Sequence, residues 1–179
     1  MGFREPDAGE LAARDCLRRL VDTYSRACDR RDFVLLRSLY HDDALEEHGD
    51  MFTGSPDEYV AWVETALSNW QATAHYVTNA LFVVDGDYAE GEVYKLNYHR
   101  TLDGAEEIVT GSRSLDRFAR RDGEWRFVGR CVTLDWATRR PASAEAYESF
   151  AAASPHGAAG PSDLSYGRLS LFGRGGANT

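Results

Sequence analysis

The stretch EGEVYKLNYHRTLDGAEEIVTGSRSLDRFAR, residues 90–120, decides how this chain folds. Two runs of period-two character flank Asp103-Gly104, a dipeptide suited to the positive φ angles of a tight hairpin turn. The strands so defined run from Ala89 to Arg100 and from Glu107 to Arg120. Downstream, the turn RRDGE leads into a last strand, Trp125 to Ala137. Upstream, the strand His75 to Val84 precedes the turn DGDY. Consecutive strands joined by turns this short pair antiparallel.

Ahead of Trp70 the spacing is helical. Leu11, Cys16, Leu17, Leu20, Val21, Tyr24 and Cys28 recur at three and four residues, predicting a helix from Asp7 to about Asp29. Asp7 is suited to its N-cap, with Glu10 three residues on. Phe33 to Tyr40 predicts a second, shorter helix, and Ala44 to Phe52 is weakly strand-like before the turn TGSPDE. A third helix starts at Pro56, with Tyr59, Val60, Val63 and Leu67 on one face and Asp57 and Glu58 in its first turn. Helices first and hairpins afterwards define an α+β protein. The expected architecture is a cone, in which a curved mixed or antiparallel sheet wraps about three N-terminal helices and leaves one open mouth. Residues 1–140 form this domain. Residues 141–179 are a separate tail, with a short helix at Ala144 to Ala153, the loop SPHGAAGPSD and the apolar run LSYGRLSLF. That tail is expected to pack across the domain or a neighbouring subunit.

Aromatic residues make up 12% and apolar residues 43% of the chain, enough for a packed core. A net charge of −9 provides no basic face for nucleic acid. Cys16, Cys28 and Cys131 are odd in number and lack CxxC spacing, which argues against disulfides and zinc. MGFREPDAGE has no apolar core of a leader, Pro6 spoils a myristoylation site, and no run approaches the roughly 18 apolar residues of a membrane span. A cytoplasmic protein without a membrane partner is expected. His41, Asp42, Asp43 and His48 do not form a ligand set of closed spacing, and HExxH, GxSxG and phosphate-cradling glycine motifs are missing. No metal or cofactor is therefore expected.

Several polar residues fall where a bland fold would not need them. Tyr24 is in phase with Leu17, Leu20, Val21 and Cys28, so it faces the core. Asp29 in the corner ACDRRDF (27–33) is either a solvated helix-end acid or an inward-pointing group, while Arg30, Arg31 and Asp32 read as the wet side of that corner. Strict alternation places His75 with Val77, Asn79 and Leu81, and His99 with Val93, Lys95 and Asn97. The second face is either solvent or a wet pocket. Arg130 alternates with Val128, Val132 and Leu134, so it is expected to be buried against an anion or carbonyl. Trp62, Trp70, Phe82, Tyr94 and Trp136 are candidate pocket walls.

The succession YSRACDRRDF, HDDALEE, TAHYVTNALF, EVYKLNYH and DGEWRFVGR resembles the SnoaL-like branch of the NTF2-like superfamily over residues 10 to 138. Its eliminating members (scytalone dehydratase, hexachlorocyclohexane dehydrochlorinase and bile-acid 7α-dehydratase) are the nearest in pattern. That resemblance implies an aspartate at the end of the first helix paired with a histidine on the next long strand, and Asp29 and His75 fall on those positions. It further implies catalytic roles for Tyr24 and His99, and substrate contacts for Arg130 and Ser114. Asn97, on the polar strand face, and the candidate walls Trp62 and Trp136 are expected to contact the substrate as well. Ser114 stands near where scytalone dehydratase has an asparagine.

In such a site His75 would take a proton from carbon beside a carbonyl, Asp29 would orient the imidazole, and Tyr24 and His99 would donate to oxygen. Arg130 would hold a carboxylate or enolate. The expected activity is cofactor-free elimination, by a dehydratase or dehydrohalogenase, on a hydrophobic cyclic or polyketide-derived small molecule. The alternatives are a cyclase or isomerase using the same pair, and a non-catalytic binding module. A homo-oligomer covering the outer sheet face is expected, a trimer by resemblance or else a dimer.

Overall fold

The computed structural model describes residues 4–143, 149, 152–170 and 172. Helix α1 (Ala8–Asp29) starts where Asp7 accepts a hydrogen bond from the Glu10 amide. It buries Leu17, Val21, Tyr24 and Cys28, the stripe set by the three-and-four spacing. Helix α2 (Phe33–Ser38) is capped by Asp32, whose side chain accepts from the Leu35 amide. Helix α3 (Pro56–Ser68) begins with a reciprocal capping box between Ser55 and Glu58.

Six strands complete the domain: β1 (Tyr40–Glu47), β2 (Thr53–Gly54), β3 (Trp70–Asp85), β4 (Tyr88–Thr101), β5 (Glu106–Arg121) and β6 (Glu124–Pro141). They form one mixed sheet in the order β2-β1-β6-β5-β4-β3. β3 to β6 are the antiparallel meander predicted from the hairpin turns, and β1 adds to β6 in parallel. The architecture is the α+β cone, with helices packed against one face of a curved sheet. β1 begins at Tyr40, ahead of the expected Ala44, because the Leu39 carbonyl already accepts from the Phe127 amide of β6.

The core lies between the helices and the concave sheet face. Leu17, Val21, Leu36, Tyr40, Tyr59, Phe118 and Phe127 are almost wholly buried there. Each such side chain contributes roughly 1.5–3 kcal/mol of burial free energy. Rings interlock at this centre: Phe127 packs 5.1 Å from both Tyr40 and Phe118.

Two strand irregularities correct the alternation. Val77 pairs with Lys95, but Ala80 pairs with Val93, so Thr78 and Asn79 together oppose Tyr94 and β3 carries one extra residue. Beyond that bulge the inward set becomes Ala80, Phe82 and Val84, while Leu81 and Val83 are exposed. In β6, Leu134 pairs with Ser112 and Trp136 with Gly111, which leaves Asp135 unpaired and turns Trp136 outward.

The predicted helix at Ala144 to Ala153 falls mostly outside the described residues. A short helix α4 (Leu164–Arg168) lies against the end of α1. Arg30 pairs with Asp163 at 3.3 Å, Arg26 bonds Ser165, and the Tyr166 hydroxyl donates to Asp32.

Candidate active site

The end of α1 delivers Asp29 to the first residues of β3. Asp29 Oδ1 lies 2.6 Å from His75 Nδ1 and accepts from Thr73 Oγ1 at 2.9 Å, while Oδ2 accepts from the His75 amide at 2.8 Å. The carboxylate thus fixes the ring, the backbone and the preceding hydroxyl of the strand together. Burial alone would raise the Asp29 carboxyl, but these hydrogen bonds outweigh it and hold the group below the usual carboxylate range. With Nδ1–H donating to Asp29, His75 Nε2 carries a free lone pair.

Arg31 completes this corner, and it is not on the wet side as its sequence context suggests. Its guanidinium donates to the Cys28 carbonyl, to Thr73 Oγ1 at 2.9 Å and to the Leu67 carbonyl at 3.2 Å. Its backbone adopts φ 55°, the left-handed conformation that ends α1. Arg31, Thr73, Asp29 and His75 form one hydrogen-bonded chain from the helix end to the strand.

His75 faces a cavity of about 390 Å³ enclosed by α1, α3 and the concave sheet. Tyr24, His99, Asn97 and Trp62 also line it, together with Trp70, Tyr59, Val63, Leu67 and Leu134. Asp29 stands behind His75. The His75 and His99 rings meet edge to face at 5.4 Å, and His99 packs on Trp70 at 4.9 Å. Burial, then the neighbouring His75, lowers His99 to about 4, which keeps it neutral. The Tyr24 hydroxyl is bonded to that of Tyr59, and burial pushes both phenols well above their ordinary value. Asn97 donates to Thr110 and Ser112, and its Oδ1 has no partner among the described residues.

Three expected substrate contacts lie elsewhere. Arg130 is 1% exposed beneath the cavity floor, with its Cζ 3.7 Å from the Tyr24 ring centroid. Its Nε lies 3.7 Å from Glu46 and 3.6 Å from Asp116, the anionic partners its burial demands. Ser114 is completely buried, donating to Asp116 and accepting from Arg130, so it does not line the cavity. Trp136 is on the outer face over Gly111, put there by the bulge at Asp135.

The cation that does reach the cavity is Lys95. It is 8% exposed, lines the wall beside Asn97, and places Nζ 4.6 Å from the Tyr24 ring centroid. Burial, reinforced by Arg130, lowers its ammonium to about 7. The polar face of Val93, Lys95, Asn97 and His99 is the available signal for it, and the structure places that face inward. Among the described residues, no group of three His, Cys, Asp or Glu side chains is placed to hold a metal ion. No described helix is long and apolar enough to cross a membrane.

The cone of helices and curved sheet accords with the family the chain matches. Residues 9–130 match the SnoaL-like domain, and the chain belongs to that family. The uncharacterized protein Rv2910c of Mycobacterium tuberculosis is 27% identical over 127 residues, covering 69% of this chain and 86% of that protein. A hexachlorocyclohexane dehydrochlorinase, LinA type 2, superposes with a TM-score of 0.70 at 24% identity, covering 78% of this chain and 95% of that one. A protein assigned as a scytalone dehydratase from Novosphingobium aromaticivorans superposes with a TM-score of 0.67 at 21% identity, covering 74% and 93%. These superpositions establish the NTF2-like fold.

Proposed function

We propose that the protein is a cofactor-free lyase that eliminates a small group from a hydrophobic carbonyl compound, with His75 as the base. The observation that carries this reading is the Asp29–His75 couple, whose imidazole stands at the wall of a cavity that mixes apolar and aromatic side chains with a few polar ones. Such a couple does general-base work: the carboxylate fixes the tautomer and stabilises the imidazolium formed when Nε2 takes a proton. His99, held neutral, and Tyr24 donate to substrate oxygen, and Lys95 supplies the charge at a developing enolate that Arg130 is too deeply buried to reach. Trp62 and Trp70 give the substrate an apolar seat. The fold relatives that are a dehydrochlorinase and a protein assigned as a dehydratase support elimination as the reaction class.

Homo-oligomerisation belongs to the same proposal. Leu81, Val83, Leu115, Leu134 and Trp136 are all exposed apolar side chains, and most of them lie on the outer sheet face that a second copy would cover. Light scattering on the eluted protein should return a multiple of the chain mass.

The base is tested without knowing the substrate. 4-Phenylbutan-2-one in deuterated water should gain deuterium beside its carbonyl with the wild-type protein and not with His75→Ala. Its 4-hydroxy analogue should lose the mass of one water, whereas an unchanged mass with a new retention time would point to isomerisation. Wild type giving no exchange above buffer would remove His75 as the base.

A further inference from the structure

A second histidine–carboxylate couple stands at the same cavity, with His48 in its wall and Glu46 behind it. At the end of β1, His48 Nε2 lies 2.8 Å from Glu46 Oε1, and Glu46 is completely buried. Its other oxygen accepts from the Tyr40 hydroxyl at 2.8 Å, and Arg130 Nε lies 3.7 Å from Oε1. The His48 ring is held flat, stacked on Tyr59 at 5.3 Å and 16° and packed 5.4 Å from Trp62. Its backbone is pinned by hydrogen bonds to Phe52 and Met51. The two couples are mirrored in connectivity. His75 gives Nδ1 to its carboxylate and keeps Nε2, whereas His48 gives Nε2 and keeps Nδ1, which makes no hydrogen bond among the described residues.

A structural histidine needs neither a completely buried carboxylate behind it nor a place on a cavity wall. A proton abstraction by His75 alone needs no second couple. What does need one is a leaving group that departs poorly unless it is protonated.

We propose that His48 is the acid that protonates the leaving oxygen, and that the departing group is therefore a hydroxyl rather than a halide. This rests on the elimination reading above and narrows it to dehydration of β-hydroxy carbonyl compounds. His75 Nε2 takes the proton from the carbon beside the carbonyl, and that electron pair becomes the new carbon–carbon double bond. The carbon–oxygen bond breaks with its pair going to oxygen, and the proton on His48 Nδ1 joins it, so that water leaves. The step ends with His75 protonated and His48 neutral, and exchange with solvent restores both. Glu46 balances the imidazolium that His48 carries at the start.

The test compares two ketones that yield one product, 4-phenylbut-3-en-2-one, followed by its absorbance. These are 4-hydroxy-4-phenylbutan-2-one and 4-chloro-4-phenylbutan-2-one, each corrected for its rate in buffer. A general acid acts on the hydroxyl ketone and gives chloride little help, so His48→Phe should lower the hydroxyl-to-chloride rate ratio by about 100-fold. His48→Gln, with near-ultraviolet circular dichroism as the folding check, should do the same and serves if the phenylalanine variant does not fold. His75→Ala should lose both reactions. An unchanged ratio in the His48 variants, or a wild type that accepts only the chloride, overturns the proposal and leaves His75 as the base. A wild type that eliminates neither group but still exchanges deuterium into 4-phenylbutan-2-one also overturns it. Loss of that exchange as well would overturn the base reading with it.

Discussion

The Asp29 carboxylate holds His75 at two points, ring Nδ1 at 2.6 Å and backbone amide at 2.8 Å. A carboxylate that bonded only the ring would let the strand slide beneath it. Here the bond to the amide locks the strand, so the imidazole is aimed by main chain as well as side chain. Asp29→Asn keeps the size of the group but presents an amide nitrogen to one of three donors. The expected outcome is a fall in turnover of about 10²–10⁴-fold, with KM changed far less. Steady-state kinetics on a ketone that the wild type eliminates would show it. A fall confined to KM would make Asp29 a binding residue instead.

Arg31 makes a backbone prediction. It sits at φ 55° while its guanidinium holds Cys28, Thr73 and Leu67. Removing the side chain leaves three acceptors short of a donor and should destabilise the fold by about 1.5–3 kcal/mol. The left-handed conformation costs a residue with a Cβ about 1 kcal/mol that glycine does not incur. Arg31→Gly should therefore melt above Arg31→Ala, the reverse of the ordinary ranking of those residues. Denaturant titration of both variants checks the order, and an alanine variant as stable as the glycine one would refute the strain.

How far the sequence disclosed this molecule follows from which interactions are local. Helix α1 and the β3–β6 meander were legible because periodicity and turn chemistry are written in neighbouring residues. Parallel β1 was not, since HDDALEE is polar and its pairing with β6 joins segments about eighty residues apart. Strict alternation gave the wrong face to Leu81, Phe82 and Trp136 because a single extra residue in a strand reverses everything beyond it. Arg130 was legible as a buried cation with an anionic partner, but its distance from the cavity depends on Tyr24 lying over it. Glu46 and His48 fell in a stretch that read only as a weak strand, and it is the fold that brings His48 to the cavity wall with Glu46 buried behind it.

His99 should leave a signature in acid. Its imidazole is lowered from 6.5 to about 4 by burial and His75, so between those values the unfolded chain binds a proton that the folded protein refuses. Stability then falls as pH drops from 6.5 toward 4, by up to about 3 kcal/mol from this group. Asp29 acts in the same direction at lower pH, because a carboxyl held low stabilises the fold until it is protonated. His99→Gln should flatten the upper part of that decline while keeping the part due to Asp29. Thermal melts at half-unit intervals of pH test this, and a variant curve parallel to the wild type between 4 and 6.5 would contradict it.

Lys95 predicts the opposite edge of the pH range. The amine is lowered from 10.5 to about 7 by burial and by Arg130, so the folded protein sheds a proton that the unfolded chain keeps up to much higher pH. The unfolded state binds more protons between those values, and this group's contribution to stability rises with pH across that window. Ligand binding runs the other way. An anion in the cavity is drawn to the ammonium, which disappears as pH rises through 7. Calorimetric binding of 3-phenylpropanoate should weaken across that point in the wild type. Two Lys95 variants carry the decision. Lys95→Met should bind the carboxylate more weakly at pH 6 and show a shallower decline, whereas Lys95→Arg should hold its affinity to higher pH. A methionine variant with the wild-type affinity and slope would show that the amine does not meet the ligand.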